Sequence, residues 1–310
     1  MTVVAGIGYN LLAFSPAIVI FYRVISSDPL RIILFVLGAF FWLISLLLSA
    51  LIWYAVIPLR DTLIFSVYIS VGIQEIARFL HFLLLKRAQK GLSQMAASGM
   101  HISGVHTLHH ARHILAVVCG LGMGVAAALF LVVNVIADFW GRGTVGLPAT
   151  VPGVKDHFKV KFYAEDQWFP FTYSLSACIL SMCHVVWTVL LWDGCHKKSY
   201  TPLWWVGVVT AVASHYIVTS LSFWNKSGQQ VLVLICQFTV LLLNTCQAFY
   251  VMGGSIAMLK NISFRSYKSF IHCITCRCIS EEVENPPPPN HHSRFEHSQN
   301  AHDIIQPVTT

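Results

Sequence analysis

The sequence predicts an all-α, polytopic membrane protein of seven transmembrane helices, with a lumenal or extracellular N-terminus and a cytoplasmic C-terminus. Composition gives the class: 56% of the 310 residues are hydrophobic and 11% are charged, whereas soluble chains carry about 25% charged residues. Apolar runs give the helix number, because seven stretches, at roughly 3–23, 31–58, 62–85, 114–137, 169–192, 203–223 and 230–259, are long enough to span, a crossing needing about 20 residues. Basic residues give the orientation. Arg23, Arg31, Lys86, Arg87, Lys90, Arg112, Lys197, Lys198, Lys260, Arg265, Lys268, Arg277 and Arg294 fall on one side, 13 in all, against 6 on the other. The richer side reads as cytoplasmic. The net charge of +7 therefore reports topology rather than nucleic-acid binding.

The chain divides into a transmembrane bundle, 1–260, and a cytoplasmic tail, 261–310, that is mostly disordered. The first span lacks a basic leading segment and ends in Tyr22 and Arg23 rather than at a small-residue cleavage site, so it reads as a retained helix. Its Ser15-Pro16 pair frees a backbone carbonyl that a neighbour or hydroxyl must satisfy. Ser26-Ser27-Asp28-Pro29 is a tight turn, with Pro29 opening helix two where its missing N–H costs nothing. Helix two carries Gly38, Ser45 and Ser49 at helical spacing, a face expected to meet the small residues of helix four.

Helix three holds the only carboxylate well inside the membrane, Glu75, with Arg78 one turn later. An ionised group at the bilayer centre costs about 2.5–3.5 kcal/mol, so such a residue faces protein or water. At i, i+3 the two side chains can meet, which reads as an ion pair that pins the helix. A catalytic or proton-carrying glutamate is the other reading. The loop that follows, 101–113, holds His101, His106, His109, His110 and His113; these are a metal-binding candidate set, or a polar lead-in to helix four.

Helix four is apolar throughout and unusually small in its middle. Ala116, Gly120, Gly124 and Ala128 fall on one stripe at helical spacing, leaving a groove in which another helix can lie. Beyond it, Asp138 to Trp168 is the longest outer loop, a docking surface for an extracytoplasmic partner. His184 of helix five and His215 of helix six lie inside spans. Helix centres place them about 9 Å apart in depth, too far to share one metal without a shift of register, so interhelical hydrogen bonding is expected of each, a catalytic or ligand role being the other reading. Helix seven carries a polar seam, Gln237, Asn244 and Gln247, before Gly253-Gly254-Ser255.

The sequon Asn225-Lys226-Ser227 is squeezed between two spans, and Asn261-Ile262-Ser263 lies on the cytoplasmic side. Of the nine cysteines none falls in an outer loop, which excludes a disulfide-stapled ectodomain. Cys273, Cys276 and Cys278 are candidates for palmitoylation, with a zinc site including His272 as a weaker idea. Every aspartate lies in a loop, a span end or the tail, so this chain cannot supply an intramembrane aspartyl dyad. No P-loop, GxSxG or HExxH motif occurs.

Asp28-Pro-Leu-Arg-Ile-Ile-Leu, Phe40-Phe-Trp-Leu, Gln74-Glu75 with Arg78-Phe79, Gly120 and Gly124, Asn134 to Asp138, His184, His215 and Gly253-Gly-Ser, taken in order, resemble the anterior pharynx defective family over about residues 3–260. The resemblance implies a seven-helix, non-catalytic scaffold subunit of gamma-secretase. It implies nicastrin, presenilin and the presenilin enhancer as partners, and a role in cleavage of Notch-type and amyloid-precursor-type membrane proteins. It also implies residence in the endoplasmic reticulum, Golgi and plasma membrane, with no cofactor and no catalytic residue of its own. Gly120 and Gly124 match that family's assembly stripe, and His184 and His215 its two membrane histidines. Ala128 departs from the glycine expected at the third position. The alternative is an intramembrane protease of the CAAX glutamate-protease type using Glu75, His184 and His215. Against it, the doubled glutamate of those enzymes is here Gln74-Glu75 and Arg78 comes too early. A transporter or receptor is a third, weaker option that requires a midplane ligand cavity.

Overall fold

Among the described residues, seven helices are long and apolar enough to cross a membrane. The computed structural model describes residues 3–59, 62–97, 112–140, 169–199, 201–227 and 229–254, and every regular element among them is helical. The histidines at 101–110, the outer loop from 141 to 168, the second sequon and the cysteine-bearing tail lie outside the described residues.

Helix α1, Val3–Ile20, contains Pro16. The carbonyl that this proline frees, on Leu12, accepts from the Ser15 hydroxyl at 3.4 Å. A wide π turn, Phe21–Ile25, follows, and Asp28 then caps α2, Pro29–Ala55, by accepting from Leu30 N–H at 3.0 Å. Arg31 holds the cap from the other side, 3.1 Å from the Asp28 carboxylate, and donates to the Val24 carbonyl at 2.7 Å. Asp28→Ala is expected to cost about 0.5–2 kcal/mol, read as a modest fall in the melting temperature of the purified chain while Arg87→Ala, on an exposed helical face, leaves it unchanged.

Helix α3, Leu63–Ala97, runs twelve residues past the end expected at 85. Its last turns, Lys86 to Ala97, are rich in Lys, Arg, Gln, Leu, Met and Ala. These residues form helix well while lacking the apolarity that marks a span. Helix α4 is Arg112–Trp140 and α5 is Phe169–Lys197. The latter also overruns its apolar stretch, because Asp193 and Lys197 pair at 2.8 Å across one turn and basic groups suit a helix C-terminus. Helix α6 is Trp204–Leu221, and α7, Gln230–Val251, stops eight residues before the expected 259. Gly253, at φ +88°, supplies the left-handed residue that ends it.

Helix α5 is the hub: α1, α4, α6 and α7 all pack on it, and α2 packs on the far side of α4. Burial follows the same order, with 72% of the most apolar stretch of α5 and 61% of that of α4 buried, against 17–33% for the other five spans. Trp187, Leu190 and Val189 of α5 and Val118, Leu121 and Met123 of α4 form the sealed centre. Helix α3 packs chiefly on α2 and reaches α6 and α5 with its polar residues.

Candidate functional site

Helix packing positions everything else. A methyl group added at Gly120 would lie 2.8 Å from the Val185 Cα and 2.9 Å from the Thr188 Cβ, and one at Gly124 would meet the backbone of Ser181. The stripe of α4 is therefore filled, and by α5 of the same chain. The expectation that the Gly38, Ser45 and Ser49 face of α2 occupies it is corrected. Gly38 instead backs onto Cys119, and Gly122 receives Phe35 and Ala39 of α2. Two residues of helix turn about 200°, so Gly122 serves the face of α4 opposite Gly120. Ala128 is fully buried in a small cluster with Ala13, Val132 and Ala177, where the added methyl fills the meeting of α1, α4 and α5.

Gly122, Gly194 and Gly207 also stand at close backbone approaches, outside the stripe that spacing marks. At Gly194 a methyl would strike the Trp204 carbonyl, and at Gly207 the Leu190 carbonyl, each at 2.7 Å, so the α5–α6 seam is a second glycine contact. Two isolated glycines in different helices carry no spacing signal, which is why only the four-membered stripe was visible.

Pressed together in this way, α3, α5 and α6 converge four ionisable side chains. Glu75, Arg78, His184 and His215 are 7%, 1%, 1% and 3% exposed. Arg78 Nη1 donates to Glu75 Oε1, the contact expected from the i, i+3 spacing. The same carboxylate oxygen accepts from His215 Nδ1 at 2.5 Å, and Arg78 Nη2 donates to His184 Nδ1 at 2.8 Å. An arginine can only donate, so His184 carries its proton on Nε2, and His215 presents Nδ1–H to the glutamate. Each histidine thus hydrogen-bonds across a helix interface, and neither needs a charge to do so.

The inferred difference of depth between the histidines is also corrected, since their ring centres lie 5.3 Å apart. The physical reason is the overrun of α5. The midpoint of Phe169–Lys197 is Cys183, next to His184, whereas the apolar stretch alone put the centre several residues earlier. Trp187, which the sequence reading passed over, closes the cluster. It stacks on His215 at 4.2 Å and 23°, meets His184 edge-on at 5.2 Å and lies 5.7 Å from the Arg78 guanidinium. Its position three residues after His184, on the same helical face, was the available signal.

Gly120 ties the stripe to this cluster, because its open side faces the His184 carbonyl at 3.0 Å, the same oxygen that accepts from Thr188 at 2.7 Å. On α7, Gln237 and Asn244 are buried, and the Gln237 carbonyl oxygen accepts from Ser176 of α5 at 3.0 Å. Chemically, the carboxylate is fixed through Oε1, which takes both the guanidinium and the imidazole, while Oε2 has no partner among the described residues. The Trp187 ring covers one face of His215. Among the described residues no three His, Cys, Asp or Glu side chains converge in a way that would hold a metal ion.

A family model described as Aph-1 protein matches residues 4–255. The chain is 43% identical over 275 residues to the gamma-secretase subunit aph-1 of Caenorhabditis elegans, covering 87% of each chain. It is 32% identical over 273 residues to gamma-secretase subunit Aph-1 of Drosophila melanogaster, covering 88% of this chain and 100% of that one. With gamma-secretase subunit APH-1B of Homo sapiens it shares 32% over 280 residues, 87% of this chain and 97% of the relative. These relatives give no support to a glutamate protease.

Proposed function

The chain belongs to the Aph-1 family, and from that premise we propose that it is the non-catalytic scaffold subunit of a gamma-secretase complex, assembling with nicastrin, presenilin and the presenilin enhancer. Its relatives carry the gamma-secretase subunit name over nearly their whole length, and that match is the observation that carries the reading. The interior of the bundle supports the non-catalytic half. The buried carboxylate of α3 has one oxygen bonded to both Arg78 and His215, and among the described residues Asp28 caps α2 and Asp193 pairs with Lys197 in the last turn of α5. Gly120, Gly124 and Ala128 act by closing α4 on α5, and Glu75, Arg78, His184 and His215 by locking α3 and α6 to that pair. In this reading the scaffold is one rigid bundle, and the exposed apolar faces of α1, α2, α3 and α7 meet lipid and partner helices.

The orientation follows the basic residues, with the N-terminus lumenal or extracellular and the tail cytoplasmic. The complex then operates in the endoplasmic reticulum, Golgi and plasma membrane. The test is to purify the full chain from cells in a mild detergent and identify what comes with it. Nicastrin, presenilin and the presenilin enhancer in fixed stoichiometry are expected, and the chain freed of them should leave a transmembrane peptide uncut. Recovery of the chain alone, or cleavage by it alone that Glu75→Gln abolishes, overturns the proposal.

A further inference from the structure

Where α3 begins and α6 ends, the two helices leave a cavity of about 340 Å³ between them, within the size range of small-molecule sites. Tyr68 of α3 lines it, together with Tyr216, Ile217, Ser220 and Leu221 of α6 and Trp224 of the turn that follows. Its mouth faces outward from the bundle, since Ile217 and Trp224 are 51% and 54% exposed. Tyr68 lies five residues into α3, about 8 Å from its start. The hydroxyls of the cavity therefore sit just inside the edge of the span, the level at which tyrosine and tryptophan meet lipid headgroups.

The direction of each hydrogen bond in the lining selects the ligand. Tyr216 Oη donates to the Tyr68 carbonyl at 3.2 Å, and Ser220 Oγ donates to the Tyr216 carbonyl at 2.7 Å. Ser220 then has no proton left, so in its 2.7 Å contact with Tyr68 the phenol is the donor. All three hydroxyl protons are spent within the wall, while their oxygens keep lone pairs. The lining accepts and does not donate. Among the described residues none that lines the cavity is charged. A phosphate or carboxylate, which carries charge and only accepts, finds neither a donor nor a cation here. An uncharged molecule with a hydroxyl finds its acceptor. The wall is also stiff: Tyr68 and Tyr216 stack at 5.5 Å and 26°, and the Tyr216 phenol lies against bare backbone at Gly72, where an added methyl would come within 3.1 Å of its oxygen. A rigid ligand gives up little freedom on such a surface, whereas a flexible chain gives up more. We propose that this cavity seats a sterol-type lipid, its hydroxyl donating to the Tyr68 and Ser220 oxygens and its fused rings lying against the tyrosine pair, Ile217 and Leu221.

The test uses the full chain in phosphatidylcholine nanodiscs with a photoreactive cholesterol analogue that keeps its hydroxyl, the label being placed by peptide mass spectrometry. Label is expected at Tyr68 and within residues 216–224, displaced by added cholestanol. Cholestanone, the matching ketone, accepts but cannot donate, and should displace about five- to tenfold less well, the factor that one neutral hydrogen bond carries. Tyr68→Phe with Ser220→Ala keeps the shape of the cavity but removes both acceptors. This variant should no longer distinguish the alcohol from the ketone, an effect that mere loosening of the bundle does not produce. Thr239→Val, on an exposed face of α7, should keep the full preference. A photoreactive phosphatidylcholine should label the cavity no more than the other exposed helix faces. Sterol label spread evenly over those faces, equal displacement by the ketone in the unaltered chain, or a preference that survives in the double variant overturns the proposal. Preferential label from phosphatidylcholine overturns it in favour of an acyl chain, and displacement by dioleoylglycerol as effective as that by cholestanol overturns the sterol assignment.

Discussion

Replacing Gly124 with leucine is expected to lower recovery of the gamma-secretase partners with the chain by about tenfold or more, a factor that corresponds to about 1.4 kcal/mol. The cause is local. A side chain at this position grows directly into the Ser181 backbone of α5, which is helical and cannot give as a flexible side chain would. Overpacking of a close-packed interior costs about 1–3 kcal/mol even for a few added methylenes. Here the displaced element is the hub on which α1, α6 and α7 also rest. Gly120→Leu should behave in the same way and should in addition disturb the His184 turn. Gly124→Ala should show a smaller loss. Gly91→Ala, where an added methyl meets nothing within 4 Å, is the control and should leave recovery unchanged. Quantitative blotting of nicastrin and presenilin after purification through a tag on the chain measures all four.

Arg78→Leu is expected to be as damaging, for an electrostatic reason. It leaves the Glu75 carboxylate buried with only the His215 bond, and leaves His184 Nδ1 without its donor. Removing one member of a buried ion pair costs about 3–5 kcal/mol, and an unpaired carboxylate within a membrane has no water to fall back on. Glu75→Gln should cost less than Arg78→Leu, because an amide oxygen can still accept from both Arg78 and His215. A double-mutant cycle between Glu75→Gln and Arg78→Gln should give a coupling of about 0.5–3 kcal/mol, whereas the same cycle between Glu75 and the distant, exposed Arg23 should give none. The readout is the thermal unfolding of the purified chain, followed by size-exclusion recovery after heating.

The class and the spans were legible because bilayer thickness forces long apolar runs, and each of the seven runs is a helix among the described residues. Their ends were less legible. Hydropathy marks where a helix leaves the membrane and not where it stops, so α3 and α5 overran their apolar stretches through Lys86 to Ala97 and Asp193 to Lys197. That same error displaced His184 from the helix centre and hid the convergence of the four ionisable residues. Local features fared better: the Glu75–Arg78 pair follows from one-turn spacing, and the start of α2 at Pro29 from the Asp-Pro turn. Which helix fills the stripe of α4 is a matter of tertiary register. Small residues on two opposite faces, at Gly120 and at Gly122, admit either neighbour, and only packing assigns α5 to one and α2 to the other.

We propose that Gly120 and Gly124 serve assembly by closing this chain's own bundle rather than by receiving a partner's helix. The melting temperature of the isolated chain, purified free of partners, with and without Gly120→Leu and Gly124→Leu tests it most directly. Each variant is expected to melt well below the unaltered chain or to aggregate on extraction. Variants that melt as the unaltered chain does, yet fail to recover nicastrin and presenilin, would contradict it and assign the stripe to a partner.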